Sequence, residues 1–417
     1  LMFFLYKVFI NIILFFSPII ILIRLLKKKE DSIRYKEKFC FFSQKKKKGK
    51  LIWFHGASVG EILSVVPLIQ KLEKNKKINQ ILVTSNTLSS SKILNNLKLK
   101  KTTHQFYPID HSYFVNKFLK YWSPSVAIFI DSEIWPTMLT NIKNKSISLI
   151  LLNARINKKS FKKWTKLGLR AKTLFNKFDL CLSSSNESKK HLDLLGAKNI
   201  KYIGNLKFTE LETTKDSLEI NLSKFFLSKK IWCASSTHKT EEEIAAKVHI
   251  KLKKKNKNIL TIIIPRHINR VTEIKKNLEK LNLKVHVDSS TNKIADNTDI
   301  YLVDAYGKTK MFFSICNTVF LGGSLIKHGG QNPLEAARYG CKILYGPSIW
   351  NFYEIYNLLN EIKVSYKVNN VSQITEKISL VGINSKNTKS IKSKLNNLSA
   401  KILKLTLKEI EYFIYKK

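Results

Sequence analysis

Two strand-to-helix turns carry the residues best suited to chemistry. The first reads Trp53-Phe-His-Gly-Ala-Ser-Val-Gly-Glu61. Glu61 falls at the start of a helix, where the macrodipole favours an ionised carboxylate. A carboxylate at the carboxyl end of a strand is well placed as a general base. The same turn matches Gly56-x-Ser58-x-Gly60, the pattern of a hydrolase nucleophile elbow. A membrane-associated serine hydrolase acting through Ser58 is therefore an alternative. The wider setting fits it poorly, because the turn follows the first strand of the body and no His-Gly-Gly-Gly segment lies upstream.

The second turn reads Phe320-Leu-Gly-Gly-Ser-Leu-Ile-Lys-His-Gly-Gly-Gln-Asn-Pro-Leu-Glu335 and holds four of the 14 glycines. Glycine there permits positive φ and close backbone approach to a ligand. The helix that follows presents its amino end to anions such as phosphate. Asn332 can cap that helix, and Glu335 can accept hydrogen bonds from ribose hydroxyls. The loop is neither G-x-G-x-x-G nor a Walker P-loop.

Five further polar clusters sit at predicted strand ends. They are Asp131-Ser-Glu133-Ile-Trp135-Pro136, Asn153-Ala-Arg155, Gly204-Asn-Leu-Lys207, Ser235-Ser-Thr-His238 with Glu241-Glu-Glu243, and Ile264-Pro-Arg266-His267. Several are cationic, which points to an anionic substrate. His55, His238, His267 and His328 lack metal-ligand spacing, so hydrogen bonding is their expected role and no metal is expected.

The elements that must position these residues alternate short apolar strands with amphipathic helices. Strands are predicted at Leu51–His55, Ile81–Ser85, Val126–Ile130, Ile147–Leu152 and Phe178–Ser183. The rhythm restarts at Ile231–Ala234, Ile259–Ile264, Asp299–Val303, Thr318–Leu321 and Lys342–Tyr345. Intervening helices include Glu61–Lys74, Glu241–Leu252 and Pro333–Tyr339. Such alternation predicts parallel, doubly wound sheets. Two runs separated by a polar stretch near Thr209–Ser223 predict two α/β domains, with ligands outside the strands' carboxyl ends and the site in the interdomain cleft.

The chain has 417 residues, 74 basic against 30 acidic, for a net charge of 74 − 30 = +44. Hydrophobic residues make up 44%, which excludes a wholly disordered basic tail. Nucleic acid is the first partner such charge suggests. However, all but seven of the basic residues are lysines spread along the whole chain, beside abundant Asn and Ile. That pattern reads as codon drift in an A/T-rich genome, and no nucleic-acid partner is expected. The five cysteines, Cys40, Cys181, Cys233, Cys316 and Cys341, form no C-x-x-C pair, which argues for a reduced body without a disulfide scaffold or zinc ribbon.

From Val8 to Ile23 the residues are almost all apolar, with Arg24 and Lys27-Lys28-Lys29 next. This segment reads as a retained membrane anchor, either spanning the bilayer or lying in its interface, with the rest cytoplasmic.

Taken together, the segments resemble the bacterial Kdo transferases (3-deoxy-D-manno-octulosonic acid transferases), which build the inner core of lipopolysaccharide. Eight motifs carry the resemblance in order: His-Gly-Ala-Ser-Val-Gly-Glu (55–61), Ser-Glu-Ile-Trp-Pro (132–136), Asn-Ala-Arg (153–155), Gly-Asn-Leu-Lys-Phe (204–208), Ser-Thr-His (236–238), Pro-Arg-His (265–267), Phe-Leu-Gly-Gly-Ser (320–324) and Gly-Gly-Gln-Asn-Pro-Leu-Glu (329–335).

The resemblance implies a GT-B-type α/β glycosyltransferase with two Rossmann-like doubly wound domains, an interdomain cleft and an amino-terminal anchor helix. The expected division is an anchor over 1–28, an acceptor-binding domain over 29–215, a CMP-Kdo-binding domain over 216–395 and a final helix over 396–417 that could pack back on the first domain. It implies CMP-Kdo as donor, a lipid A precursor (lipid IVA) as acceptor, inner-membrane lipid as the anchor's partner, location at the cytoplasmic face of the inner membrane, inversion at the anomeric carbon, and no cofactor. Glu61 falls on the family's catalytic base, and Glu133 and Lys207 on positions that stabilise the transition state. Pro265 and Arg266, then Tyr306, Gly307 and Lys308, then Asn332, Pro333, Leu334 and Glu335 fall on the CMP-binding segments. One segment departs: Tyr306-Gly307-Lys308-Thr309 stands where the family usually has Met-Gly-Glu-Leu, so a side-chain role for Lys308 is in doubt.

Overall fold

The computed structural model describes residues 2–97, 99–209, 220–381 and 388–415. Most of the polar stretch near Thr209–Ser223, and with it the expected boundary at 215/216, lies outside them. The chain divides into two compact units: Leu1–Leu211 with Ser399–Lys417, and Glu212–Leu398.

The first unit is built on a seven-stranded parallel sheet. Its strands are β1 (Leu51–His55), β2 (Gln80–Ser85), β3 (Thr102–Phe106), β4 (Val126–Ile130), β5 (Ser148–Ala154), β6 (Leu180–Ser183) and β7 (Ile200–Tyr202). They lie in the order β3-β2-β1-β4-β5-β6-β7. Every residue of β1, β2 and β4 is buried, as expected of parallel strands covered by helices on both faces. Trp53, Phe118, Trp122 and Phe129 fill the core on one side.

An apolar helix, α1 (Met2–Leu26), precedes the sheet, and α2 (Val59–Glu73) follows β1. A final helix, Thr388–Tyr415, ends the chain. Within the first unit its Glu409 pairs with Lys201 at 2.7 Å.

The second unit repeats the plan. Its strands are β8 (Lys230–Thr237), β9 (Ile259–Pro265), β10 (Val285–Val287), β11 (Ile300–Leu302), β12 (Thr318–Leu321), β13 (Lys342–Tyr345) and β14 (Ser365–Lys367). All are parallel, in the order β10-β11-β9-β8-β12-β13-β14. The two-Rossmann α/β reading holds, and the predicted strands recur within a few residues. Four strands went unpredicted: β3, β7, β10 and β14. They are the four edges of the two sheets.

Strand order reverses between β1 and β4 in the first unit, and between β8 and β12 in the second. Doubly wound sheets bind ligands outside the carboxyl ends of such neighbouring strands. Glu61 follows β1 and Glu133 follows β4. His238 and Glu241 follow β8, and the Gly322-Gly323 loop follows β12.

Candidate active site

In the first unit the β1–α2 turn fixes Glu61 on both sides. Ser58 caps α2: its Oγ accepts from the Glu61 N–H at 3.3 Å and donates to Glu61 Oε1 at 2.8 Å. Glu61 Oε2 accepts from the Ala57 N–H at 2.7 Å. This reciprocal arrangement is a variant of the capping box. Gly56 is tightly packed: a Cβ there would sit 3.1–3.2 Å from Ile130, Glu61 and Ile62 side-chain atoms. At Gly60 a Cβ would meet nothing within 4 Å, so the surface beside Glu61 is open.

Burial pushes the Glu61 carboxyl up, and the charges of Glu133 and Asp131 push it further, to about 7 against the bonds from Ser58 and Ala57. A carboxyl near 7 is suited to accept a proton at neutral pH.

Glu133 is its electrostatic counterpart. Burial opposes its ionisation, but hydrogen bonds from His55 and Trp135 win and hold its carboxyl below the usual range. Trp135 Nε1 donates to Glu133 Oε2 at 2.8 Å, and His55 Nε2 lies 3.3 Å from the same oxygen. His55 is fully buried, stacked on Tyr107 with centroids 3.7 Å apart. Its Nδ1 is 3.0 Å from the Thr84 hydroxyl. Burial keeps the ring neutral despite Glu133. Ser58 is thus occupied as a helix cap bonded to the Glu61 carboxylate, and no histidine bonds its hydroxyl among the described residues, which gives the hydrolase alternative no support.

Lys207 is placed by a second network. Asp131 and Asn153 both adopt left-handed φ, 56° and 54°. The Asn153 side-chain amide donates to Asp131 Oδ1, and its Oδ1 accepts from the Leu206 N–H at 2.9 Å. That fixes the short 3-10 turn Leu206–Thr209, and Lys207 Nζ comes within 3.9 Å of Asp131 Oδ2. Asp131 and Asn153 were visible in the sequence as strand-end polar residues without a role. Their positioning function depends on tertiary neighbours.

In the second unit the residue that sequence reading undervalued is Glu241. It reads as a helix-start acid. In the fold it is wholly buried, and its carboxylate accepts four backbone N–H bonds: His238 at 3.0 Å, Gly323 at 2.7 Å, Ser324 at 3.2 Å and Leu325 at 3.1 Å. The amides of Gly323, Ser324 and Leu325 therefore point at Glu241. Gly322 is needed because a Cβ would fall 2.4 Å from Ser236 O.

Positive or neutral groups face the same region. His238 lies against His328, with centroids 4.1 Å apart, and near His267 at 5.8 Å. Burial, then the neighbouring His328, His267, Arg266 and Arg270, lower His238 to about 4. Pro265 ends β9. Exposed Arg266 follows it, and its N–H bonds Thr237 O at 2.9 Å.

The remaining predicted residues divide. Tyr306 is exposed and Gly307 has φ 88°. Lys308 is turned away, its Nζ on Asp288 Oδ2 at 2.5 Å. Lys310, two residues on, reaches within 3.8 Å of Glu335, which links the two predicted CMP-binding segments. The helix expected over Pro333–Tyr339 is only Leu334–Arg338. Pro333 takes the cap position, and Asn332 Oδ1, one residue before it, accepts from the Leu334 N–H at 3.1 Å. Leu334 itself is buried in the core. Among the described residues no group of three His, Cys, Asp or Glu side chains is placed to hold a metal ion.

Residues 33–210 match the family model described as 3-Deoxy-D-manno-octulosonic-acid transferase (kdotransferase). The 3-deoxy-D-manno-octulosonic acid transferase of Rickettsia bellii is 37% identical over 333 residues, 79% of each chain. The chain belongs to the Kdo transferase family. The Haemophilus influenzae member is 29% identical over 358 residues, 84% of this chain and 83% of its own. Among solved structures, a glycosyltransferase from Rickettsia africae aligns with TM-score 0.57 at 11% identity, covering 89% of this chain and all of that one. That likeness shows the GT-B fold. As a Kdo transferase the chain is a glycosyltransferase, and the carboxylates around Glu61 stand at the strand-order reversal between β1 and β4.

Proposed function

We propose that this Kdo transferase moves Kdo from CMP-Kdo to a hydroxyl of a lipid A precursor, lipid IVA, at the cytoplasmic face of the inner membrane, with α1 as the membrane attachment. Glu61 removes the proton of the acceptor hydroxyl. The oxygen forms a bond to the anomeric carbon of Kdo as the bond from that carbon to the phosphate oxygen breaks, and CMP leaves with the electron pair. Direct displacement inverts the anomeric centre. Glu133 and Lys207 shape the field in which charge develops. Arg266 supplies positive charge to the leaving phosphate, in the manner of preorganised electrostatics. Gly307 offers backbone approach, and Asn332 with Glu335 lines the nucleotide side.

The observation that carries this reading is Glu61: a carboxyl held by Ser58 and Ala57 and raised to about 7 by burial and two acidic neighbours. The test is incubation of the protein in vesicles with CMP-Kdo and lipid IVA, followed by mass spectrometry of the lipid. A mass gain of Kdo on the lipid, lost in Glu61→Ala while CMP still binds, is the expected result. Unmodified lipid with wild-type protein would refute the acceptor, and turnover by Glu61→Ala would refute the base.

A further inference from the structure

The sequence leaves two postures open for α1, across a bilayer or along its surface. Its length permits both. Leu5–Leu26 is 22 residues, about 33 Å of helix against a hydrocarbon core of about 30 Å. Its contacts do not permit both.

Tyr6, Ile10, Ser17, Ile21 and Arg24 recur at three-, four- and seven-residue spacing, which is one face of a helix. Ile10, Ser17 and Ile21 on that face are buried. Both ends of the face are tied to the first unit. Near the start, the Tyr6 hydroxyl donates to Asp110 Oδ2 at 2.6 Å. Near the end, Arg24 meets Glu30 at 2.6 Å, and Lys38 holds the same Glu30 oxygen at 2.6 Å. The Lys38 carbonyl in turn accepts from the N–H of Ile109, the neighbour of Asp110.

Asp110 belongs to the site's own scaffold. Its carboxylate accepts from the Thr137 and Met138 N–H groups at 3.0 and 2.8 Å, at the start of the helix Pro136–Asn144 that follows Glu133-Ile-Trp135. The loop that carries Asp110 also carries Tyr107, the ring stacked on His55. The tie at Asp110 therefore places α1 on loops at the carboxyl ends of the strands, the side that bears Glu61 and Glu133. A helix standing across the bilayer would have to withdraw Tyr6 from Asp110 by most of the membrane's thickness.

The opposite face of α1 is apolar and exposed, with Phe9, Ile12, Phe15, Ile19, Ile23 and Leu26 along it. Exposed Lys7 and Lys27-Lys28-Lys29 bracket it. An apolar row between cations complements the acyl and headgroup layers of an anionic bilayer.

We propose that α1 is an in-plane membrane helix, docked lengthwise on the first unit, that seats the Glu61 face on an anionic lipid surface. The idea rests on the reading of the site as acting on a lipid-borne hydroxyl, since it brings the base to the membrane. Its test reads depth and not turnover, so the two can fail separately.

Single cysteines replace Phe9, Phe16 and Ile23 in the full chain and carry a nitrobenzoxadiazole label. The five native cysteines are buried and unlabelled. The labelled proteins are added to preformed vesicles of phosphatidylethanolamine and phosphatidylglycerol. Equal, shallow depth at all three positions is expected, with equal loss of signal to dithionite added outside. A deep Phe16 position and a Phe9 position protected from external dithionite would overturn the proposal in favour of a spanning helix. Labels that stay in water while the protein sediments as a dimer would overturn it in favour of a surface between two copies.

Discussion

Between β1 and β4 the first unit gathers carboxylates: Glu61, Asp131 and Glu133, with Lys207 within 3.9 Å of Asp131. Between β8 and β12 the second unit has one central carboxylate, Glu241, and turns it inward onto four backbone amides. Around His238 the second unit gathers His267, His328 and Arg266. Both sheets are seven-stranded and parallel, and at these two positions the difference lies in the loops. A proton acceptor needs a carboxylate poorly solvated and close to other acids. A departing phosphate needs positive charge and a loop of fixed shape. On the proposed reading, one fold meets both demands at the same topological position by changing the residues that follow two strands.

The comparison can be broken most directly at Glu61. Glu61→Gln keeps the shape of the turn and removes the base, so kcat should fall by about 10²–10⁴ with CMP affinity unchanged by calorimetry. A similar fall in CMP affinity would mean that the two units do not divide the labour as described.

Glu241→Ala attacks the other side. It leaves four inward N–H groups without their acceptor, at about 1–3 kcal/mol for a buried group so orphaned. A lower melting temperature and a raised KM for CMP-Kdo are expected, and Glu241→Asp should recover part of both. A fall in kcat alone would contradict a positioning role.

The pH profile sharpens the contrast. Burial first, then Glu133 and Asp131, raise Glu61 to about 7, and the base acts when deprotonated. kcat/KM should therefore fall about tenfold per unit as pH drops below about 7. Glu133→Gln removes one of the raising charges, so the acid limb should move to lower pH. The effect on stability has the opposite sense. The folded state holds this proton up to about 7, whereas an unfolded glutamate releases it near its ordinary value of 4.5. The contribution of Glu61 to the first unit's stability thus declines as pH rises across that window, measurable by urea melts at successive pH values.

Ser58→Ala should lower stability by about 1 kcal/mol through loss of the cap. Wild-type protein should take no label from a fluorophosphonate probe. The smallest effect is expected at Lys308: its ammonium is partnered by Asp288, and Lys308→Ala should cost about 0–1 kcal/mol with the KM for CMP-Kdo unchanged.

The strands that escaped sequence reading show where legibility ends. Central strands such as Val126–Ile130 are buried throughout, and covering both faces forces a continuous apolar run. The edge strands Thr102–Phe106, Ile200–Tyr202, Val285–Val287 and Ser365–Lys367 are short or half-exposed. Their sequences alternate with Thr, His, Lys and Tyr and carry no such run. At the site, Glu61 and Glu133 could be read because each follows a strong strand directly. Glu241 could be read as a helix-start acid but not as the support of a loop 82 residues away in sequence. Asn153 could not be joined to Leu206, 53 residues on.

The two α/β halves, the carboxylate turn at Glu61, the Gly-rich loop and the apolar amino-terminal segment are legible in the chain alone, because each is written in local periodicity or in a short motif. Folding alone sets which way the amides of Gly323, Ser324 and Leu325 point, that Lys308 is turned to Asp288, that burial and then two acidic neighbours raise Glu61 to about 7, and that both ends of α1 are tied to the first unit. Those are properties of pairs of groups far apart in the chain. A carboxylate's proton affinity and an amide's partner depend on what folding brings within a few ångströms, and local sequence does not contain that distance.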